Sequence, residues 1–222
     1  MNSPLQHTAS QAPQTALASN KVLRNTYMLL SMTLVFSAMT AGASMALNLP
    51  YPGIMITLVG YFGLLFLTSK FSNSNTGILC VFALTGFMGY TLGPILNAYL
   101  TLSNGAEVIM MAMGSTGAIF IGLSTYVRYT RKAFSFMGGF LFVGILVAFL
   151  AGLAGFFLDM PSLSLAVSAM FVLLMAGLIL YQTSSIIHGG ETNYIMATVT
   201  LYVSLFNLFT SLLHLLGFMG DD

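Results

Sequence analysis

Seven long stretches of this chain contain no charged residue, and this pattern restricts the fold more than any other feature of the sequence. Each stretch is largely apolar, and most are near the ~20 residues that a helix needs to cross ~30 Å of hydrocarbon. Only 5% of all residues are charged, whereas a soluble domain has about 25%. The predicted spans are 28–47, 54–69, 77–100, 108–127, 136–157, 163–181 and 195–217.

A transmembrane β-barrel is the competing membrane fold, and the sequence does not favour it. Barrels need strands of about ten residues with alternating polarity, whereas MITLVGYFGLLFLTS and LLMAGLILY are apolar throughout. A helix bonds every backbone polar group within its own span, as the bilayer requires. We therefore predict an all-α, polytopic membrane protein with a bundle of seven transmembrane helices.

The positive charges predict the orientation of this bundle. They occur before span one, between spans two and three, and between spans four and five, all on one side of the membrane. The opposite side carries only Glu107, Asp159 and the final Asp pair. The positive-inside rule then predicts a cytoplasmic N-terminus and an exterior C-terminus. The residues that determine this topology are Lys21, Arg24, Lys70, Arg128, Arg131 and Lys132.

The chain is predicted to have one folded domain with two short ends. Residues 1–24 are expected to form a flexible cytoplasmic tail, because residues 1–20 are rich in Ser, Gln, Thr and Ala and lack the hydrophobic mass to fold. The transmembrane domain occupies 25–218, and 219–222 form a short exterior end. A cleaved signal peptide is less favoured, since its apolar region has about 7 to 15 residues.

Composition and motifs exclude several functions. A net charge of +1 leaves no basic surface for nucleic acid, and a single Cys forms no internal disulfide. No zinc-ligand spacing, HExxH, GxSxG or carboxylate pair occurs. We therefore predict a protein that is not an enzyme and uses neither a metal nor a cofactor, with the lipid bilayer as its surroundings.

The segment GYTLGPIL in span three combines two small residues with a proline. Gly89 and Gly93 are spaced so that another helix can approach closely. Pro94 removes one helical hydrogen bond and predicts a kink. Helix packing is the favoured interpretation of these residues, with a gating hinge as the alternative.

The loop SSIIHGGETNYI, between spans six and seven, is the densest polar cluster of the chain. A tight turn with Thr192 as the cap of the last helix is the favoured interpretation. The alternative is a cytoplasmic gate or docking patch. The candidate residues for that role are His188, Gly189, Gly190, Glu191 and Tyr194.

Three segments together resemble the Bax inhibitor-1 family. TRKAFSFMGGFLF, at 130–142, is similar to the family's aromatic-Ser-x-x-Gly-Gly pattern after a basic loop, and GYTLGPIL to its Gly-x-x-Leu-x-Pro pattern. The stretch 178–209 resembles the last two helices of the family. The resemblance runs from about Lys21 to Gly217, and VLRNTYMLL, HGGETNYI and LYVSLFNLF resemble the Gram-negative branch.

The resemblance to the Gram-negative branch implies an inner-membrane protein that binds and modulates the membrane-anchored AAA protease FtsH. The protein would itself be a slow substrate, engaged through its N-terminal tail while the apolar bundle resists extraction. Membrane-bound regulators of FtsH are further candidate partners. The exterior side is then the periplasm. The sequence gives no indication of the oligomeric state.

A second function is implied by other bacterial members of the family, which act as pH-sensitive calcium leaks through an Asp in helix six and an Asp in helix seven. This chain has Gln182 and Ser204 at those positions, and neither side chain titrates near neutral pH. The two Asp residues of those relatives share a proton and act as a latch. The alternative function of this chain is therefore a calcium or cation leak without that latch. Its pore would be lined by Gln182, at the end of helix six, with Ser204 and Asn207.

Overall fold

The computed structural model describes the backbone of residues 11–219 and the side chains of residues 18–219, and this part of the chain is almost entirely helical. Seven of its helices are long and apolar enough to cross a membrane, which confirms the predicted all-α polytopic fold. A short 3-10 helix, Ser135–Met137, directly precedes the fifth of these helices. The helices are α1 (Gln11–Ala46), α2 (Ile54–Phe71), α3 (Asn75–Leu100), α4 (Gly105–Thr130), α5 (Gly138–Phe157), α6 (Pro161–Ile187) and α7 (Tyr194–Met219).

The N-terminal tail differs from its prediction where the structure describes it. Residues 1–10 of the predicted flexible segment 1–24 lie outside the described residues, but from Gln11 onward the chain is already helical. Ala, Leu, Gln and Lys in this stretch have high helix propensity. Leu23 is buried against Ile186 and Ala197, so α1 begins before the membrane span and packs on the ends of α6 and α7.

Helix α6 is longer than predicted and ends at Ile187. Gln182 therefore lies inside α6, and its predicted position at the end of the helix was wrong. No Gly or Pro interrupts residues 182–187. The helix ends just before Gly189, whose positive φ of 75° suits a residue without a side chain.

Helix α7 lies at the centre of the bundle and packs against α1, α3, α4 and α6. Half of its membrane span is buried (50%), whereas only 6% of α2 is. Helices α2 and α5 lie at the periphery, where α2 packs mainly on α3 and α5 mainly on α6. Only 17% of the α5 membrane span is buried inside the bundle, so most of its apolar surface faces lipid.

Helices α1 and α3 form the most extensive helix–helix contact of the bundle, and the two predicted packing glycines lie in it. A Cβ atom on Gly89 would overlap atoms of Ser37 and Thr40 on α1. A Cβ atom on Gly93 would overlap the side chain of Ser44. The two backbones approach each other at both positions only because α3 has no side chain there.

Pro94 lies inside α3, and α1 compensates for the hydrogen bond that it removes. A proline has no N–H to donate to the carbonyl four residues earlier, which here is that of Tyr90. The Ser44 hydroxyl donates to this carbonyl oxygen at 3.0 Å. Asn97 adds a second connection nearby, because its Nδ2 donates to the carbonyl of Met45 at 3.2 Å.

All six positively charged residues lie at one end of the bundle, here called the basic face. They are carried by the first part of α1, the end of α2, the end of α4 and the α4–α5 connection. Glu107 and Asp159 lie at the opposite end, near the start of α4 and the end of α5. The bundle is therefore strongly polarised along its axis.

Candidate functional site

The α4–α5 connection is held on the basic face by the end of α6. The Ser184 hydroxyl accepts a hydrogen bond from the Phe134 N–H at 3.0 Å and donates to the Lys132 carbonyl at 3.1 Å. The two ring nitrogens of His188 lie 2.8 Å from the Ser184 carbonyl oxygen and 3.0 Å from that of Arg131. Both carbonyl oxygens lie within hydrogen-bond distance of the ring, so His188 connects the end of α6 to the α4–α5 connection.

The cap of α7 is Asn193, and the expectation that Thr192 caps this helix was wrong. The Asn193 Oδ1 accepts hydrogen bonds from the N–H groups of Ile195 at 2.9 Å and Met196 at 3.2 Å. An oxygen one residue before the first helical position reaches these two N–H groups. The Glu191 carboxylate in turn accepts from the Asn193 N–H at 2.7 Å.

Asn193 also connects the α6–α7 loop to the α2–α3 loop. Its Nδ2 donates to the Ser72 carbonyl at 3.1 Å and to the Asn73 Oδ1 at 3.0 Å. With the attachment of the α4–α5 connection to α6, these bonds join three loops of the basic face. A partner that docked here would meet a surface with a fixed shape.

The remaining candidate loop residues have mainly turn geometry. Gly189 has a left-handed backbone, and the Gly190 N–H donates to the Ser185 carbonyl at 2.8 Å. Tyr194 lines a cavity of about 530 Å³ together with Lys21 and Glu191. This cavity separates the first part of α1 from the α6–α7 loop, and a docking peptide could enter it.

The structure does not join the three candidate latch residues by hydrogen bonds. Ser204 is fully buried and donates to the Thr200 carbonyl of its own helix at 2.7 Å. Asn207 likewise donates to the Val203 carbonyl at 2.8 Å, and it lines an apolar cavity of about 490 Å³ between α2 and α5. Gln182 is buried, and its Nε2 has no partner among the described residues.

Five buried side-chain polar atoms lack a hydrogen-bond partner in the described part of the chain, and all lie near the basic ends of α1, α4 and α6. Both α1 and α4 pack against α6 there. An unsatisfied buried polar group costs about 1–3 kcal/mol, so this polar layer favours internal water or another polar occupant. Its atoms are Thr26 Oγ1, Tyr27 OH, Ser124 Oγ, Gln182 Nε2 and Thr183 Oγ1.

A hydrogen-bond network around Tyr202 connects three helices, and sequence reasoning missed it. The Tyr202 and Ser37 hydroxyl oxygens are 2.6 Å apart, and the Tyr202 hydroxyl lies 3.3 Å from the Thr85 carbonyl. A tyrosine in the middle of an apolar span is a usable signal, because its hydroxyl needs a partner when it is buried.

Across residues 18–219, no three His, Cys, Asp or Glu residues group as metal ligands would.

One family profile and several proteins match most of this chain. The profile described as "Inhibitor of apoptosis-promoting Bax1" matches residues 19–221. "Modulator of FtsH protease YccA" of Escherichia coli is 58% identical over 206 residues, which cover 93% of this chain and 94% of that protein. A second Escherichia coli strain has "Inner membrane protein YccA" with the same identity and coverage. An uncharacterized Pseudomonas aeruginosa protein is 55% identical over 90% of each chain.

Proposed function

Because this chain belongs to the family described as inhibitor of apoptosis-promoting Bax1 and is a multi-pass inner-membrane protein, we propose that it binds and modulates the FtsH protease. The observation that carries this proposal is the 58% identity to a protein named as a modulator of FtsH, over 93% of this chain. The names of these relatives describe a modulator and a membrane protein. We propose that this chain likewise acts through binding.

The basic face is the proposed cytoplasmic side. It carries all six Lys and Arg residues, and a bundle with this asymmetry is retained with its positive end in the cytoplasm. The N-terminus and the three joined loops then face the cytoplasm. Membrane-bound regulators of FtsH are further proposed partners.

The protease is proposed to engage the N-terminus and to be slowed by the bundle. Residues 1–17 are mainly polar and contain few large apolar side chains, so little hydrophobic burial opposes their unfolding by the protease. The next part of α1 is fastened by Leu23 against α6 and α7. A protease that pulls on the N-terminus therefore pulls on α1, which packs against α3, α6 and α7. Unfolding then requires these contacts to break.

Two changes are expected to move the degradation rate in opposite directions. Deleting residues 2–17 should lengthen the half-life in cells several-fold, because the protease loses its grip while the side chains that pack on the bundle remain. Leu23→Ala should shorten it, because loss of a buried leucine side chain costs about 2 kcal/mol or more and loosens α1. Pulse-chase labelling in cells with and without FtsH measures both half-lives.

The matched control is Leu79→Ala, since Leu79 is 71% exposed on the lipid-facing side of α3 and its loss leaves α1 attached. Co-purification with proteolytically inactive FtsH measures binding separately, and the chain lacking residues 2–17 should still bind through the bundle. If the full-length chain does not co-purify with FtsH, the proposed function is wrong. An unchanged half-life after the deletion would reject the N-terminal grip alone.

The polar layer favours a second candidate function, a calcium or cation leak, because unpartnered polar atoms inside a bundle can hold water. Any calcium flux should then be insensitive to pH between about 5 and 8, since Gln182 and Ser204 do not titrate there. Gln182→Asp combined with Ser204→Asp should introduce pH dependence through two interacting carboxylates. Calcium entry into proteoliposomes at several pH values tests both forms.

The control for this flux experiment replaces His188, just after α6, and His214, inside α7, by glutamine (His188→Gln and His214→Gln). A strong pH-dependent flux that persists in this control would contradict the proposal that Gln182 and Ser204 do not respond to pH. Absence of flux in every form would leave FtsH modulation as the function that the relatives support, and would remove the leak.

A further inference from the structure

A seam runs along the bundle between α1 and α4. Both helices pack against α7, but within the described chain they do not pack along each other. Two cavities occupy the seam, one of about 680 Å³ at the basic face and one of about 380 Å³ deeper in the membrane. Phe120 lines both cavities, so they are adjacent. Its ring centroid is 5.9 Å from that of Tyr27 across the seam.

The cavity at the basic face, here called the upper cavity, is flanked by two arginines from different helices. Arg24 of α1 and Arg128 of α4 both line it, with Asn20 and Thr125 as neutral polar neighbours. Across the described residues, neither guanidinium forms an ion pair or hydrogen bond with another side chain. The two charges are therefore available to an anion.

The protein supplies almost no negative charge to neutralise these arginines. Among the described residues, Glu191 is the sole carboxylate on the basic face, where it binds the Asn193 N–H and lines a different cavity. Glu107 and Asp159 lie at the opposite end of the bundle. A counter-charge for Arg24 and Arg128 must come from outside the chain.

The deeper cavity, here called the lower cavity, is a crevice with mainly apolar walls. Leu34 of α1 and Gly117 of α4 line its sides, and α7 forms its floor with Leu205 and Phe209. A void of this kind loses dispersion contacts with its lining. Because α1 and α4 are membrane spans that do not close over the crevice, hydrocarbon chains of the bilayer can enter it.

The spacing of the two cavities matches a single lipid leaflet. Leu34 is ten residues beyond Arg24 in the same helix, a rise of about 15 Å. This distance is half of the ~30 Å hydrocarbon thickness. A lipid with its phosphate at the arginines would therefore bring the end of an acyl chain to Phe120 and the start of the lower cavity.

We propose that the α1–α4 seam binds an anionic phospholipid from the leaflet on the basic face. Its phosphate lies between Arg24 and Arg128, and one acyl chain follows the seam past Phe120. Guanidinium groups form strong, charge-assisted hydrogen bonds with phosphate oxygens. Basic pockets between transmembrane helices are a recurring way of binding such head groups. The site goes beyond FtsH modulation and does not depend on it.

Binding is measured by native mass spectrometry of the purified full-length chain, delipidated in an uncharged detergent and titrated with phosphatidylglycerol or phosphatidylcholine. We expect tighter binding of phosphatidylglycerol. Arg24→Gln combined with Arg128→Gln should weaken it about thirtyfold, as expected for two basic residues near an anionic surface. The matched control, Lys70→Gln with Arg131→Gln, removes the same charge from the same face outside the cavity and should bind like the unmodified chain.

The acyl-chain part of the site is tested with two glycines of α4. An added Cβ meets no atom within 4 Å at either Gly114 or Gly117, but Gly117 alone of the two lines the lower cavity. Gly117→Phe should fill the crevice and weaken lipid binding, whereas Gly114→Phe should leave it unchanged. The thermal unfolding midpoint of each variant, measured in the same detergent, establishes that it is folded.

Inorganic phosphate distinguishes a lipid site from a site for a free anion. An excess of sodium phosphate should not displace phosphatidylglycerol, because it lacks the acyl chain. Displacement by phosphate, or equal binding by Gly117→Phe, would overturn the lipid proposal and leave a free-anion site. Equal binding of the two lipids, or equal losses in the Arg24/Arg128 variant and its charge-matched control, would overturn the site itself.

Discussion

Replacing Gly89 with leucine is expected to prevent stable folding of the bundle. The Cβ atom alone would overlap the Ser37 carbonyl oxygen and the Thr40 hydroxyl, and a carbonyl of the helix backbone cannot rotate away. Helix α1 would have to move away from α3, breaking the hydrogen bonds from Ser44 to Tyr90 and from Asn97 to Met45. Overpacking typically costs about 1–3 kcal/mol, and the lost helix contact adds to it.

The measurement is the yield of folded, monodisperse protein in detergent and its thermal unfolding midpoint. Even Gly89→Ala should lower the midpoint clearly, since the overlap begins at the Cβ atom. Gly63→Leu on the peripheral helix α2 is the control, because an added Cβ meets nothing within 4 Å there. A Gly89→Leu protein as stable as the control would show that α1 and α3 are not packed in this way.

Reporter fusions at the two ends are expected to give opposite, all-or-none signals. Alkaline phosphatase joined after Asp222 should be active, because it folds only outside the cytoplasm, and green fluorescent protein joined before Met1 should fluoresce inside. Seven helices are long and apolar enough to cross a membrane, and an odd number of spans predicts that the two ends lie on opposite sides. The positive charges of the basic face predict which side is cytoplasmic. The same two reporters exchanged between the ends should both be silent.

Charge removal provides a stricter test of the reason for this orientation. Replacing Arg128, Arg131 and Lys132 with glutamine removes half of the six positive charges from the basic face. Both fusions should then report a mixed population, because the bias toward one side is weakened. Active alkaline phosphatase at the N-terminus of the unmodified chain would contradict the proposed orientation.

The α6–α7 region shows how far motif reasoning reaches. The polar loop, its two glycines and the replaced latch positions are all visible in the sequence, and a tight turn follows from them. The cap was assigned one residue too early, because Thr192 and Asn193 are both good capping residues. Only the backbone path decides which of the two precedes the first turn of α7. Similarly, Gln182 falls inside α6 because the helix continues to Ile187.

The candidate latch illustrates a second limit. Gln182, Ser204 and Asn207 are polar residues of adjacent helices, and their types alone suggest a shared polar path. In the structure, Ser204 and Asn207 each donate to a carbonyl of their own helix, and Asn207 lines an apolar cavity toward α2 and α5. Hydrogen bonding within a helix satisfies a short polar side chain as well as bonding between helices does, so residue type does not predict the partner.

The sequence by itself determined the number of helices, their approximate ends, the family and the polarity of charge along the bundle. These properties are local, because a span requires about 20 apolar residues in succession and a charge marks a loop wherever it occurs. Length and hydropathy are sufficient for such assignments. The same information identified Gly89 and Gly93 as positions of close packing.

Only the tertiary structure decided which helices meet. It placed α7 at the centre and left a seam between α1 and α4. It also placed the Ser44 hydroxyl beside the Tyr90 carbonyl, which Pro94 leaves without its helical partner, and the Ser184 hydroxyl beside the α4–α5 connection. Apolar helix faces are nearly equivalent in hydrocarbon, so helix pairing depends on close packing and on hydrogen bonds between residues distant in sequence. The sequence of one helix alone shows no periodic pattern that would reveal these contacts with another helix.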